Sequence, residues 1–306
     1  MALNAANYHI PALLRESVDL LDIRPDGVYA DATFGGGGHS REILRRLGPN
    51  GRLFGFDRDI DAFANALEDP RFTFVLSDFR FMRNWLKFYG YEKIDGIIAD
   101  LGVSFHHFDT PERGFSFRAE APLDMRMNSS ASLSAREIVN ESSESELRDI
   151  LKTHTDLKRT NEIVRAILAA RQVKPIETTF ELAEAVAPAL DDRSRKKELA
   201  QVFQAVRIVT NGEMDSLASL LEQSEKVLKK NGVLAVLTYH SGEDRMVKDF
   251  FKSGNIRGEE QQDLIYGGKR SPWKLVNKSP IVASEEEVEE NPRSRSAKLR
   301  AAILKK

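Results

Sequence analysis

The chain has 306 residues, of which 41% are hydrophobic and 30% charged, with a formal net charge of −2 at pH 7. This composition predicts a globular protein of one or two domains, and the near-neutral charge argues against a uniformly basic nucleic-acid binder. The absence of cysteine excludes disulfides and thiolate metal sites and favours a reducing, cytoplasmic location. The N-terminal segment lacks the pattern of a signal peptide, and no apolar run reaches the length of a membrane span.

The first hundred residues alternate between strand-like and helix-like stretches. Strands are predicted at 27–33, 51–57, 71–78 and 93–102, and helices at 39–48 and 59–69. Repetition of strand and helix at this spacing predicts an α/β fold with a mostly parallel, doubly wound sheet.

After Asp100 the alternation stops. Residues 103–132 resemble a loop, and helices are predicted near 134–140, 143–153, 156–172 and 178–190. Three of these begin with capping-box pairs, which are Ser134 with Glu137, Ser143 with Glu146, and Thr178 with Glu181. Two further long helices from about 195, a strand at 232–240, a helix at 243–252 and a strand at 297–305 complete the pattern. We therefore predict an α/β domain of residues 1–104 and 199–306, with a helical substrate-recognition subdomain inserted at 105–198.

Acidic residues follow the strands of the predicted sheet. Asp31, Asp57 and Asp100 end the first, second and fourth strands, and Asp78 follows the third. In open α/β sheets the ligand binds beyond the carboxyl ends of the strands. Asp57 comes 22 residues after Gly35, which is the separation at which an acid reaches the two hydroxyl groups of a ribose.

The glycine-rich turn "DATFGGGGHS" (31–40) lies between the first strand and its helix. It departs from the G-x-G-x-x-G pattern of dinucleotide-binding proteins, because Ser40 stands at the third glycine position. Asp31 would also repel a pyrophosphate but would suit a ligand with an ammonium group. S-adenosyl-L-methionine (AdoMet) is such a ligand, and a nicotinamide dehydrogenase is the alternative. His39 is interpreted as a packing or capping residue in preference to a metal ligand, and no metal is expected.

Nine strings occur in order along the chain and together resemble one bacterial family. They are "HIPALLRE" (9–16), "DATFGGGGHS" (31–40), "FDRD" (56–59), "DLGVS" (100–104), "ERGFSF" (112–117), "PLDMRM" (122–127), "FQAVRI" (203–208), "HSGEDR" (240–245) and "NPRSRSAKLR" (291–300). The family comprises AdoMet-dependent methyltransferases that modify the N4 amino group of a cytidine in the decoding region of 16S ribosomal RNA. The resemblance implies a Rossmann-like class I methyltransferase fold with a helical insertion.

The resemblance also implies the residues that contact AdoMet, namely Gly37, Gly38, His39, Asp57, Phe79, Asp100 and His107. Three positions depart from the family pattern. His107 stands where the family usually has Gln, Phe105 replaces a small polar residue, and Gly242 replaces a Leu. A histidine can make one hydrogen bond there but cannot reproduce the geometry of an amide.

Candidates for the chemistry follow the fourth strand. Asp100 is predicted to orient the target amine or an edge of the cofactor, with capping of the loop as the alternative. Phe115 and Asp124 are further candidates for orienting or stacking on the substrate, because aromatic side chains stack on unpaired bases. The alternative for Phe115 is packing between the domain and its insertion.

Clusters of basic residues could hold RNA phosphates, although such clusters are often only solvated surface. The residues predicted to contact RNA are Arg113, Arg118, Arg126, Lys158, Arg159, Arg195 and Lys196. The expected partner is 16S rRNA within the small ribosomal subunit, with no membrane partner, and a homodimer is a further prediction. Two alternatives are open: a methyltransferase of DNA or a small molecule, and a non-catalytic RNA-binding assembly factor.

Overall fold

The computed structural model describes residues 11–259 and 271–305, without the side chains of residues 105 and 106. The first two residues of "HIPALLRE" and the side chain of Phe105 lie outside this description. The chain forms two compact units. The first comprises Met1–Gly102 and Met214–Lys306, and the second comprises Val103–Glu213. The sequence placed the division instead at 104/105 and 198/199, and the assignment of substrate recognition to the insertion stays a prediction.

The strands of the first unit form one sheet. They are β1 (Val28–Asp31), β2 (Arg52–Asp57), β3 (Phe72–Leu76), β4 (Ile94–Asp100), β5 (Leu228–Thr238), β6 (Trp273–Leu275), β7 (Ile281–Val282) and β8 (Lys298–Leu304). Their order is β3-β2-β1-β4-β5-β8-β6, with β7 also paired to β8. The strands β1 to β5 pair in parallel, and β8 joins β5 antiparallel. The predicted mostly parallel α/β sheet is confirmed.

The helices in the described part of the chain are α1 (Leu14–Leu20), α2 (Gly38–Arg46), α3 (Met82–Phe88), α4 (Phe105–Asp109), α5 (Ala135–Glu141), α6 (Glu144–His154), α7 (Thr160–Val173), α8 (Thr179–Val186), α9 (Arg195–Thr210), α10 (Glu213–Val227), α11 (Ser241–Ser253) and α12 (Glu285–Glu290). Across residues 11–259 and 271–305, none of them has the length and apolar character needed to cross a membrane.

Apolar side chains cover both faces of the sheet. Along β5, Leu234 and Val236 belong to one buried cluster, whereas Val233 and Ala235 belong to another. This separation follows from the alternation of side chains along a strand. The first cluster includes residues of α3, α10 and α11, and the second includes residues of α1 and α2. Helices therefore cover both faces, as expected for a sheet built from parallel strands.

The second unit is a helical bundle with its own core. Its buried residues come from the loop after β4 and from α5 to α9. The reciprocal capping boxes expected at Ser134, Ser143 and Thr178 are all present, so each of α5, α6 and α8 begins one residue later. These caps satisfy N–H groups that a helix leaves without partners in its first turn.

One predicted α-helix is a shorter 3-10 helix in the structure. Residues 59–69 were expected to be α-helical, but the structure has a 3-10 helix at Ile60–Asn65. The side chain of Asp59 caps its start, and Pro70 stands close after its end. Ile60 and Phe63 are exposed, so this segment lacks the buried apolar face that stabilises longer helices.

Candidate functional site

The candidate site lies at the carboxyl ends of β1 and β4, which are neighbours at the centre of the sheet. From β1 the chain proceeds outward through β2 and β3, and from β4 it proceeds in the other direction to β5. The junction of β1 and β4 is therefore the topological switch point, where open α/β sheets bind their ligands. Asp31 and Asp100 are the last residues of these two strands.

The glycine-rich turn is held against β2 by a hydrogen bond. The N–H group of Gly35 donates to Oδ2 of Asp57 over 2.8 Å, and Oδ1 of Asp57 accepts from the N–H group of Asp59 at 2.9 Å. Gly37 caps α2 with a φ of 75°, a conformation that favours glycine. A Cβ atom on Gly38 would overlap the ring of Pro11. The glycines at 37 and 38 are thus required by backbone conformation and by close packing.

Asp31 is buried under this turn. Its Oδ2 accepts a hydrogen bond of 2.7 Å from the hydroxyl group of Ser40, and its Oδ1 accepts from the N–H group of Thr33 at 3.1 Å. Burial raises the pKa of Asp31 to about 6, although both hydrogen bonds oppose that rise. Ser40, the residue that replaces the third glycine of the dinucleotide pattern, therefore serves as a hydrogen-bond donor to the acid at the end of β1.

Asp100 is held by groups on two neighbouring strands. Its N–H group donates to Oγ1 of Thr33 over 2.7 Å, and its Oδ1 accepts a 2.7 Å hydrogen bond from the hydroxyl group of Tyr239. Oδ2 makes no hydrogen bond within the described residues, and a fifth of the side chain is exposed. Burial raises the pKa of Asp100 to about 7, the Tyr239 hydrogen bond lowers it, and the charges of Asp31 and Glu243 add to the rise.

His39 lies beside Asp100, at the start of α2. Its Nδ1 is 3.9 Å from Oδ2 of Asp100, and its side chain is almost fully buried. Burial lowers the pKa of His39 to about 4, so the ring is neutral at pH 7. Its Nε2 has no hydrogen-bond partner in the described part of the chain. Among those residues no group of three or more acids or histidines forms a metal cluster.

The end of β3 contributes Asp78 and Phe79. Asp78 caps the 3-10 helix Phe79–Phe81 and forms an ion pair with Arg58 at 3.2 Å. Phe79 is half-buried against the sheet core, and its carbonyl oxygen accepts from Nε2 of Gln223 at 3.1 Å. The structure thus brings the predicted residues Asp31, Gly37, Gly38, His39, Asp57, Phe79 and Asp100 to the carboxyl edge of one sheet.

The remaining predicted cofactor contact, His107, belongs to the second unit. It is buried, its Nδ1 is 3.1 Å from the hydroxyl oxygen of Ser104, and its ring lies 4.7 Å from that of Phe115. Phe115 is only 4% exposed and is part of the core of this unit. Phe115 is therefore a packing residue in this structure, and its stacking on substrate stays a prediction.

Asp124 and Arg126 bind each other. The guanidinium group makes two hydrogen bonds, from Nε to Oδ1 at 2.9 Å and from NH2 to Oδ2 at 2.6 Å. Burial opposes ionisation of Asp124, but these bonds hold its pKa below the ordinary value. Arg126 also donates to the carbonyl oxygen of Ala131, and Arg113 donates to the carbonyl oxygens of residues 126 and 127. These three side chains serve the internal structure of the second unit.

The other residues predicted to contact RNA are on the surface. Arg118, Lys158, Arg159 and Lys196 are exposed, and in the described residues their side chains form no ion pair or hydrogen bond. Arg195 is also exposed but forms an ion pair with Asp192. Four side chains of the second unit thus retain charge that is open to an external phosphate.

Sequence reasoning missed Tyr239, which fixes the carboxylate of Asp100. The residue follows β5 directly. Because β5 lies beside β4, with Leu237 opposite Asp100, the carboxyl-end rule applied to the fifth strand would have placed Tyr239 near the acid.

A sequence profile described as the MraW methylase family matches residues 6–305. The chain belongs to the MraW methylase family. One relative is the ribosomal RNA small subunit methyltransferase H of Parabacteroides distasonis, which is 52% identical over 296 residues, or 96% of this chain and 97% of that protein. Another is the ribosomal RNA small subunit methyltransferase H of Phocaeicola vulgatus, which is 53% identical over 295 residues, or 96% of this chain and 97% of that protein. A solved structure of an rRNA methylase from Streptococcus thermophilus aligns over 97% of this chain and 99% of that one, with 11% identity and a TM-score of 0.43.

Proposed function

We propose that this MraW-family chain transfers a methyl group from AdoMet to the N4 amino group of a cytidine in the decoding region of 16S rRNA. The observation that carries the proposal is the arrangement at the switch point. A glycine turn closes against Asp57, while the carboxylates of Asp31 and Asp100 end the two central strands. Such an arrangement favours a ligand that has ribose hydroxyl groups and positive charge and lacks phosphate.

The residues present fit AdoMet. The positive φ of Gly37 and the close approach of Pro11 to Gly38 fix the backbone of the turn, and Asp57 stands where a ribose would be held. The buried Nε2 of His39 has no partner in the described residues, and a buried polar atom of this kind is normally satisfied by hydrogen bonding. We assign Gly37, Gly38, His39, Asp57, Phe79 and Asp100 to the cofactor, with His107 as a further contact.

When bound, AdoMet supplies a methyl group on a positively charged sulfur. The residues of the chain then have to orient a poorly nucleophilic amine. Oδ2 of Asp100 is left to accept a hydrogen bond from an N–H group of that amine, because Oδ1 is engaged by Tyr239. With a pKa of about 7, the Asp100 carboxylate suits uptake of the proton that the amine nitrogen releases. Correct placement of two reacting groups can lower a barrier by roughly 7–11 kcal/mol.

The choice of substrate is supported by the relatives and by surface charge. The relatives named above are called ribosomal RNA small subunit methyltransferases. Lys158, Arg159 and Lys196 are exposed on the second unit, which suits contacts to an RNA backbone. We assign substrate recognition to residues 105–198 and take the small ribosomal subunit as the partner.

Transfer of tritiated methyl groups tests the proposal. Small subunits and naked 16S rRNA from a strain lacking the gene are compared with DNA as acceptors, and the labelled nucleoside is identified by mass spectrometry. We expect label at N4 of one cytidine, with loss of transfer in Asp100→Ala while the protein remains folded by circular dichroism.

Three outcomes contradict the proposal. Label in DNA and none in rRNA would make the enzyme a DNA methyltransferase. RNA binding without AdoMet binding in calorimetry would indicate an assembly factor. Binding of NADH without AdoMet would restore the dehydrogenase interpretation.

A further inference from the structure

Two sequence strings that the site above does not use meet at one cavity of the first unit. The cavity has a volume of about 240 Å³. Its lining includes Tyr239, His240 and Ser241, at or next to the start of "HSGEDR", and Arg295, Ser296 and Lys298, from "NPRSRSAKLR". These strings are about fifty residues apart in the chain, so the fold has brought hydroxyl, imidazole and basic groups together.

Two basic side chains, Arg295 and Lys298, line part of the cavity. Arg295 is exposed and forms no ion pair or hydrogen bond within the described residues. Lys298 lies 3.4 Å from Asp244, but Arg300 binds the same carboxylate more closely, at 2.6 Å. Burial opposes ionisation of Asp244, whereas Arg300 and then Lys298 hold its pKa below the ordinary value. Arg300 and Lys298 therefore balance the charge of Asp244, and Arg295 supplies a positive charge at the cavity, where Glu243 lies next to His240.

The cavity also lies at the start of α11. This 13-residue helix is capped by His240, and its first turn carries Glu243 and Asp244. The side chain of His240 is 10% exposed. Its Nδ1 accepts a hydrogen bond from the N–H group of Glu243. Its Nε2 lies 3.2 Å from Oε1 of Glu243 but makes no hydrogen bond with any described residue.

Tyr239 connects this cavity to Asp100. Its side chain lines the cavity, and its hydroxyl group donates to Oδ1 of Asp100. The side chain of Tyr239 thus contacts both the cavity and the carboxylate that we assign to the target amine.

We propose that this cavity binds a phosphodiester group of the RNA strand that presents the target cytidine, with Arg295 and Lys298 as its cationic ligands. The proposal rests on the proposed function for the identity of the strand. The site differs from the basic surface of the second unit because it adjoins Asp100 and would hold the strand at the reacting nucleotide.

Arg295→Gln in the full chain tests the proposal, with Lys248→Gln as the matched control. Lys248 is exposed on the same helix, α11, and does not line the cavity. A fluorescent single-stranded RNA containing the target sequence is titrated at several salt concentrations, and AdoMet affinity is measured separately by calorimetry. Transfer to small subunits gives KM and kcat.

We expect Arg295→Gln to weaken RNA binding and raise KM about tenfold, with kcat within about twofold and AdoMet affinity unchanged. The slope of log K against log salt should fall in magnitude by about 0.7, as for the loss of one phosphate contact on a single strand. Arg295→Glu should have a larger effect, and Lys248→Gln should match the wild type.

An unchanged RNA affinity and salt slope in Arg295→Gln and Arg295→Glu would overturn the cavity assignment. If the Arg295 variants lose RNA affinity but the wild type transfers no methyl group to rRNA, the proposed function fails and the cavity assignment stands. A fall in AdoMet affinity equal to the fall in RNA affinity would also overturn the cavity assignment, because the variant would then have disturbed the fold of the first unit.

Discussion

The hydroxyl group of Tyr239 donates a hydrogen bond of 2.7 Å to Oδ1 of Asp100. This bond joins the carboxyl ends of two adjacent parallel strands, β4 and β5. It fixes the orientation of the carboxylate, so that Oδ2 is the oxygen left for a ligand. It also favours the ionised form of Asp100, because a hydrogen bond to a charged group is stronger than one to a neutral group.

Tyr239→Phe should remove this orientation and raise the pKa of Asp100 further, since the hydrogen bond lowers that pKa in the wild type. We expect kcat/KM at pH 7 to fall about tenfold, in line with about 1.5 kcal/mol for a hydrogen bond to a charged group. The acidic limb of the pH profile of kcat/KM should move to higher pH. A profile of unchanged position would show that Tyr239 does not act through Asp100.

Asp100→Asn should stabilise the ligand-free protein above neutral pH. Burial raises the pKa of Asp100 to about 7, so the folded protein holds this proton more tightly than the unfolded chain. Stability from this group is therefore complete below about pH 4 and is lost as the pH rises through about 7. An asparagine cannot ionise, so we expect the free energy of unfolding at pH 8 to increase by about 1–3 kcal/mol, with little change near pH 4.

Asp57→Asn is the control for Asp100→Asn, and the free energy of unfolding of both variants is measured by urea denaturation. Both carboxylate oxygens of Asp57 accept backbone N–H groups, and an amide would present an NH2 group to one of them. We expect a loss of about 1–2 kcal/mol. A stabilisation of both variants at pH 8 would indicate a general charge effect in place of the burial of Asp100.

Much of the first unit could be predicted from sequence because its signals are local. Each of its strands ends in an acid or a turn. In the second unit, each predicted capping box fixes the start of a helix within one residue. The short strands β6 and β7 could not be predicted, because their stability comes from pairing with the distant β8. Tyr239 differs from these strands, because the carboxyl-end rule applied to β5 predicts its place near Asp100, while its hydrogen bond depends on the pairing of β5 with β4.

Asp124 shows a different limit of sequence reasoning. A carboxylate two residues from an arginine has the composition of a catalytic pair, but the two side chains form a bidentate ion pair within the second unit. Nothing in the string "PLDMRM" distinguishes these outcomes, because the distinction depends on whether the acid has an oxygen left to bind substrate.

Asp124→Asn should therefore affect stability and leave the cofactor site intact. Loss of the charged partner of Arg126 should reduce the free energy of unfolding by about 1–2 kcal/mol, since the pair is partly exposed. AdoMet affinity, measured by calorimetry well below the unfolding temperature, should match the wild type. A loss of kcat in fully folded Asp124→Asn, with no loss of stability, would instead indicate that Asp124 takes part in the reaction.

Gly37→Ala separates backbone strain from close packing at the glycine turn. Gly37 has a φ of 75°, and an added Cβ would lie 2.9 Å from the ring of Phe34; Gly90 has a φ of 84° but open space around it. Gly90→Ala should cost about 1 kcal/mol of stability from φ strain alone and leave AdoMet affinity unchanged. Gly37→Ala should cost more and weaken AdoMet binding at least tenfold, because the ring of Phe34 and the cap of α2 must shift. Equal effects of the two substitutions on stability, with AdoMet affinity retained in both, would mean that the turn tolerates a side chain and does not hold the cofactor closely.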